Sequence, residues 1–177
     1  HSAAGGVGLA ALHIARQVGA TVIATASTAE KRRVLAALGA TAAYDSRDVD
    51  AYSAGVKEAT RGAGVHVVLN SLGGAAALRA SLALLRPHGR FVELGKRDSF
   101  EGGALPLAPF LRALSYSTAH LDVLMLEEPR AAAALFAEVR EALPRLPSLP
   151  STSFPMASLQ EALDHMSAGT HIGKVLL

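Results

Sequence analysis

The stretch "HSAAGGVGLAALHIARQVGA" (residues 1–20) decides the fold, because it joins a glycine-rich turn to a helical pattern. Ala3, Gly5 and Gly8 occupy the three positions of a G-x-G-x-x-G fingerprint, with alanine in the first position. In such a turn the middle glycine lets the backbone come close to a ligand, and the last lets the following helix pack on a sheet.

The helix predicted over residues 7–18 would present free N–H groups around Gly6 and Val7, which suits a pyrophosphate. The alternative is a glycine-rich turn that only permits tight packing. A turn of this kind normally follows a strand, and no strand precedes His1. We therefore expect the first strand to be truncated and the sequence to be a segment of a longer chain.

The composition indicates a globular protein and excludes several classes. The chain has 177 residues, of which 50% are hydrophobic and 18% charged, and it contains no cysteine. The absence of cysteine excludes disulfides and cysteine-ligated zinc and fits a reducing cytoplasm. A net charge of +2 with 5% aromatics argues against nucleic-acid binding. The scattered histidines predict no metal site, and no apolar run of about 18 residues predicts a membrane span.

Apolar strand patterns alternate with helical patterns along the chain, which predicts an α/β fold with a Rossmann-type doubly wound parallel sheet. We expect residues 1–145 to form the nucleotide-binding domain and 146–177 a C-terminal connector, helix and strand that return towards a substrate-binding half. Strands are predicted over 21–27, 41–46, 65–69, 89–96, 114–124 and 171–177, and helices over 29–39, 48–62, 75–85, 129–143 and 156–169.

The end of the strand over residues 21–27 carries the information on cofactor choice. NAD-preferring proteins place a carboxylate there to bind the ribose 2′-hydroxyl, whereas this chain has Ser27 and Thr28. Lys31 and Arg32 follow, and this cation pair suits a 2′-phosphate. The sequence therefore predicts NADPH, the alternative being that both cations belong to a solvated helix face.

Two further strand ends carry polar residues. Asn70 and Ser71 follow the strand over 65–69, where they would contact ribose or nicotinamide, or cap the next helix. Lys96 follows the strand that ends near Leu94 and Gly95. Its alternative interpretation is an exposed turn lysine.

Taken together, these residues resemble the cofactor-binding half of the enoyl reductase domain of modular polyketide synthases and of animal fatty acid synthase. These domains belong to the zinc-free quinone-oxidoreductase branch of the medium-chain dehydrogenase/reductase superfamily. The resemblance rests on the stretches "HSAAGGVG", "AEKR", "DSRD", "VVLNSL", "GRFVELGK", "LD" at Leu121 and Asp122, and "HIGKV".

The resemblance implies that NADPH reduces the α,β double bond of an enoyl thioester on the phosphopantetheine arm of an acyl carrier domain. It implies that Lys96 is the proton donor, that Asp122 is its partner, and that Lys31 and Arg32 bind the 2′-phosphate. It further implies a cytoplasmic, homodimeric parent enzyme with other synthase domains, in which this segment is not active alone. A stand-alone quinone oxidoreductase and a non-catalytic nucleotide-binding module are the alternatives.

Overall fold

The computed structural model describes all 177 residues, which form two compact units. Unit 1 consists of His1–Ala63 together with Ser148–Leu177, and unit 2 of Gly64–Pro147. Residues 148–177 thus pack with the start of the chain, whereas the sequence analysis grouped residues 1–145 as one domain.

Helices and strands alternate through most of the chain. The helices are α1 Gly6–Gln17, α2 Ala29–Ala37, α3 Val49–Ala59, α4 Ala75–Ala83, α5 Arg97–Phe100, α6 Leu121–Glu127, α7 Pro129–Ala142 and α8 Leu159–Ser167. The strands are β1 Ile23–Ala26, β2 Ala42–Asp45, β3 Val65–Asn70, β4 Leu85–Glu93, β5 Ser115–Thr118, β6 Ser151–Ser153 and β7 Lys174–Leu176. None of the helices is long and apolar enough to cross a membrane.

Unit 1 contains two parallel strand pairs, β1 with β2 and β6 with β7. Short polar side chains begin two of its helices: Thr28 accepts a hydrogen bond from the N–H of Lys31, and Asp48 from that of Ala51. These caps fix where α2 and α3 leave the strands.

The core of unit 1 lies where α1 and α2 pack on β1. Leu9 and Leu12 of α1, Ala24 and Ala26 of β1, and Leu35 of α2 are almost completely buried there. The small residues of β1 let both helices approach closely, so the turn before α1 lies beside the end of β1.

Unit 2 contains a parallel sheet in the order β3-β4-β5. The register pairs Asn70 with Glu93 and Glu93 with Thr118, so the three carboxyl ends lie side by side. A core of Val68, Leu78, Leu82, Leu85, Phe91 and Leu114 supports this edge from one face.

Every strand pair is parallel, which confirms the predicted fold class; the strands form three separate small sheets. The strand predicted over 114–124 is wrong in its second half, because β5 ends at Thr118 and α6 begins at Leu121. Short apolar runs do not distinguish a strand from a helix. Two short elements, α5 and, in the proline-rich connector, β6, are not predicted by the sequence pattern.

Candidate functional site

The opening turn of unit 1 places backbone N–H groups at the start of a twelve-residue helix. No side chain caps α1, and no acidic residue lies in its first turn. The first amides of a helix have no partner within it, so those of Gly6, Val7 and Gly8 are available to an anion. A Cβ on Gly8 would come within 2.5 Å of the Ala3 Cα, which explains glycine at the third fingerprint position.

Backbone contacts within unit 1 hold this turn. The Ala3 N–H donates to the Thr25 carbonyl of β1 over 2.9 Å, and the Gly173 N–H donates to the Ala4 carbonyl over 2.8 Å. Gly5 and Gly173 form a parallel bridge. The turn is therefore held between β1 and the residue that precedes β7.

Lys174, which the sequence analysis did not select, lies across Gly6. A Cβ on Gly6 would come within 2.8 Å of the Lys174 Cδ and 3.2 Å of its Nζ. The Lys174 ammonium forms no ion pair within the chain. It places a cation at the positive end of α1, an arrangement that an anion would stabilise. The available signal was Gly6 itself, because the absence of a side chain there allows Lys174 to approach so closely.

Lys31 is buried rather than open to solvent. The residue is only 9% exposed, and its Nζ donates to the Gly169 carbonyl over 2.6 Å. Burial and the nearby charge of Arg47 lower the pKa of Lys31. Ser27 is half-buried beside this lysine's helix. A 2′-phosphate would therefore have to compete with a backbone carbonyl for Lys31.

Arg32 also has partners within unit 1. Its Nη1 lies 2.9 Å from Asp45 Oδ2 and donates to the Ala26 carbonyl over 3.0 Å. The backbone N–H of Arg47, then the charge and hydrogen bond of Arg32, hold the pKa of Asp45 below its ordinary value. Asp45 is a carboxylate at the end of β2, beside the end of β1. It was not among the predicted site residues, because only the end of β1 was searched for a carboxylate.

In unit 2 the side chain of Asn70 forms hydrogen bonds within the protein. It is 2% exposed, its Nδ2 donates to Glu93 Oε2 over 2.6 Å and to the Leu72 carbonyl over 2.9 Å, and its Oδ1 accepts from the Leu72 N–H. Asn70 thus shapes the turn after β3. Ser71, the second predicted residue, is exposed.

Lys96 and Asp122 are brought together in unit 2. The Lys96 Nζ donates to Asp122 Oδ2, and the side chains are 36% and 59% exposed. The hydrogen bond from Lys96 lowers the pKa of Asp122. Lys96 follows Leu94 and Gly95 at the end of β4, and Asp122 lies in the first turn of α6. The pair therefore combines a solvent-accessible ammonium with a carboxylate that orients it.

A cavity of about 440 Å³ adjoins the first turn of α6. It is lined by residues from the end of β5, from α6 and from α7, among them Thr118, His120, Leu124, Glu127 and Leu135. The lining is mainly apolar, so unit 2 offers an open hydrophobic space next to the residues that flank Asp122.

The family follows from a comparison with known protein families. The model described as zinc-binding dehydrogenase matches residues 6–137. The chain belongs to the zinc-binding dehydrogenase family. The match includes the start of α1, Lys96 and Asp122, and it places the chain in the medium-chain dehydrogenase/reductase superfamily, as the resemblance implied.

Relatives in this family include parts of large synthases. A mycocerosic acid synthase-like polyketide synthase of Mycobacterium tuberculosis is 41% identical over 179 residues, which cover 100% of this chain and 8% of that protein. The chain therefore spans only a small part of the curated relatives it matches.

Solved structures of enoyl reductases share the fold. The nucleotide-binding subdomain of the enoylreductase domain of PpsC from Mycobacterium tuberculosis is 39% identical, with a TM-score of 0.75 over 82% of this chain and 80% of that one. The CurK enoyl reductase is 35% identical, with a TM-score of 0.85 over 99% of this chain and 52% of that one.

The residues do not fit the zinc in the zinc-binding dehydrogenase family's name. Structural and catalytic zinc sites need three or four histidine, cysteine or carboxylate ligands. The chain has no cysteine and no cluster of three or more potential ligands. The residues at the start of α1 do fit a dinucleotide, because their uncapped amides suit phosphate oxygens.

Proposed function

We propose that this chain is the cofactor-binding part of an NADPH-dependent enoyl reductase, which reduces an enoyl thioester on an acyl carrier domain during polyketide or fatty acid synthesis. The observation that carries the proposal is the Lys96–Asp122 ion pair, at the carboxyl end of a parallel sheet. The names of the relatives, which are polyketide synthases and enoyl reductases, support it.

The start of α1 would hold the pyrophosphate of the cofactor. The amides of Gly6, Val7 and Gly8 supply donors, and the Lys174 ammonium adds a positive charge close to them. When bound, NADPH supplies the hydride that is transferred to the β-carbon of the enoyl group.

Lys96 would act on the thioester end of the substrate. As hydride adds to the β-carbon, negative charge builds up on the thioester oxygen, and an ammonium stabilises it. The same ammonium holds a proton at Nζ that it can donate to the α-carbon. Asp122 keeps the ammonium in position through its hydrogen bond. The acid and its orienting partner thus both come from this chain.

The preference for NADPH rests on Lys31 and Arg32. Both lie at the start of α2, close to the end of β1, where the 2′-position of a bound dinucleotide lies in Rossmann folds. Their present partners are the Gly169 carbonyl and Asp45. We propose that a 2′-phosphate replaces at least one of these contacts.

The setting of the enzyme is part of the same proposal. The relatives are multidomain synthases, so other synthase domains and an acyl carrier domain would be the partners of this chain in a cytoplasmic enzyme. We also propose that the parent is a homodimer.

The test is a reduction assay with the enzyme that carries this chain. A crotonyl thioester of N-acetylcysteamine and a free quinone are offered separately with NADPH, and absorbance at the cofactor's band is followed. We expect the thioester to be reduced much faster. Faster turnover of the quinone would instead support the stand-alone quinone oxidoreductase, and no turnover of either would support a non-catalytic module.

A further inference from the structure

Glu93 is a buried carboxylate that none of the functions above uses. It is the last residue of β4 and only 7% exposed, and no lysine or arginine forms an ion pair with it. Burying an unpaired carboxylate is costly unless hydrogen-bond donors replace its water. Here two donors do so: Asn70 Nδ2 lies 2.6 Å from Oε2, and the Gly95 N–H lies 2.7 Å from Oε1.

These two contacts hold the two turns that follow β3 and β4. The sheet register places Asn70 directly beside Glu93, and the Asn70 amide in turn holds both backbone groups of Leu72. The Gly95 contact bends the chain back on the end of β4, immediately before Lys96. One carboxylate therefore links the turn after β3 to the turn that carries the lysine.

Gly95 shows how close this contact is. A Cβ on Gly95 would lie 2.9 Å from Glu93 Oε1, closer than real Cβ atoms approach an oxygen without displacing it. A residue with a side chain at this position would push the carboxylate away from the backbone N–H. The absence of a side chain at Gly95 therefore allows its N–H to donate to the Glu93 carboxylate.

We propose that Glu93 is a positioning residue for Lys96, which fixes the turn over residues 94–96 so that the lysine reaches Asp122. The inference rests on the proposed function, which gives Lys96 its chemical part. Glu93 acts through the backbone of Gly95 and touches neither the ammonium nor the reacting atoms.

The chemistry requires a carboxylate at this position, because both neighbours of Glu93 are hydrogen-bond donors. In Glu93→Gln, one of the two oxygens becomes an NH₂ group, which cannot accept from either donor. Exchanging both residues, in Asn70→Asp/Glu93→Gln, restores the hydrogen bond between the two side chains and leaves an acceptor for the Gly95 N–H. The introduced aspartate still accepts from the Leu72 N–H, but it cannot donate to the Leu72 carbonyl, so that one contact of Asn70 is lost.

The experiment detects whether Lys96 contacts Asp122 by measuring the pKa of Asp122. The side-chain carboxyl of Asp122 is followed by carbon NMR in the full 177-residue chain and assigned with Asp122→Asn. The hydrogen bond from Lys96 lowers the pKa of Asp122, so Lys96→Met sets the raised value expected when that contact is lost. We expect Glu93→Gln to raise the Asp122 pKa most of the way to that value, and the double variant to bring it part of the way back.

A matched control is Glu101→Gln, which removes an exposed carboxylate that pairs with Arg97 in the same segment. It should leave the Asp122 titration unchanged. An unaltered Asp122 pKa in Glu93→Gln overturns the proposal. If Glu93→Gln does not fold, the double variant decides: an Asp122 pKa below that of Lys96→Met supports the proposal, and a pKa equal to that of Lys96→Met or a failure to fold overturns it.

The titration uses no cofactor and no substrate, so its result is independent of the reduction assay. A wild-type Asp122 pKa in Glu93→Gln would refute the role of Glu93, even in an active enoyl reductase. A protein that reduces no thioester would refute the proposed function while leaving the Asp122 result intact.

Discussion

Lys31 in unit 1 and Lys96 in unit 2 follow strand ends in comparable ways, yet the protein uses them differently. Lys31 is 9% exposed and bound to the Gly169 carbonyl, whereas the Lys96 side chain is 36% exposed and paired with Asp122. A buried lysine held by a carbonyl contributes to the packing of its unit. A half-exposed lysine held by a carboxylate stays accessible to a ligand and keeps its orientation. On the proposed function, the Lys96–Asp122 pair is formed before any ligand binds, whereas a phosphate at Lys31 would have to replace the Gly169 carbonyl.

The largest expected effect is on Lys96. We expect Lys96→Met to slow thioester reduction by about 100-fold or more, because a positioned proton donor contributes on this scale. The dissociation constant of NADPH should change little. An equal loss of rate and of binding would mean that Lys96 is a ligand of the cofactor, and the contrast with Lys31 would then disappear.

The next effect concerns the two cations of α2. We expect Lys31→Met/Arg32→Met to weaken NADPH binding by at least about tenfold and to leave NADH binding unchanged, since charge-assisted hydrogen bonds to a 2′-phosphate are lost. Calorimetric titration with each cofactor measures this. Unchanged affinity for NADPH together with a lower thermal midpoint would show that both cations serve only the packing of unit 1.

A smaller effect is expected for Lys174. Lys174→Met should weaken NADPH and NADH alike, by about threefold, which is the scale of one exposed charge near a helix end. Both cofactors contain the pyrophosphate, so the ratio of their dissociation constants should stay constant. The control is Lys57→Met, which removes the exposed lysine at the end of α3. An altered ratio would assign Lys174 to the 2′-phosphate instead.

The smallest effect is the contribution of Asp45 to acid stability. The pKa of Asp45 is lowered in the folded chain, so its contribution is present above the ordinary aspartate pKa and is lost as the pH falls below about 4. Asp45→Asn should remove this part of the pH dependence. Urea unfolding at several pH values between neutral and acidic compares the two proteins, and identical curves would show that the Arg32–Asp45 pair contributes nothing to stability.

The sequence predicts the helices and strands better than it predicts which side chains form hydrogen bonds within the protein. Hydrophobic periodicity and caps such as Asp48 are local, so the parallel α/β pattern is predictable from neighbouring residues. Lys96 and Asp122 are 26 positions apart, and only the family resemblance connected them before the structure did.

The contacts of Asn70 and Lys31 depend on features that are not local. The pairing of Asn70 with Glu93 follows from the register between β3 and β4, and a sequence pattern does not specify a register across a helix. The burial of Lys31 depends on Gly169, which is 138 positions away. A signal existed for Glu93: it lies two residues after Phe91, on the face of β4 that is buried.

The division into units has a consequence for how the chain folds during synthesis. Unit 2 is continuous from Gly64 to Pro147, so it can fold once that stretch has left the ribosome. Unit 1 needs both His1–Ala63 and Ser148–Leu177, and the hydrogen bond from Gly173 to Ala4 cannot form until Gly173 has emerged. The opening turn is therefore synthesised before unit 2 but is completed only after unit 2 has been made.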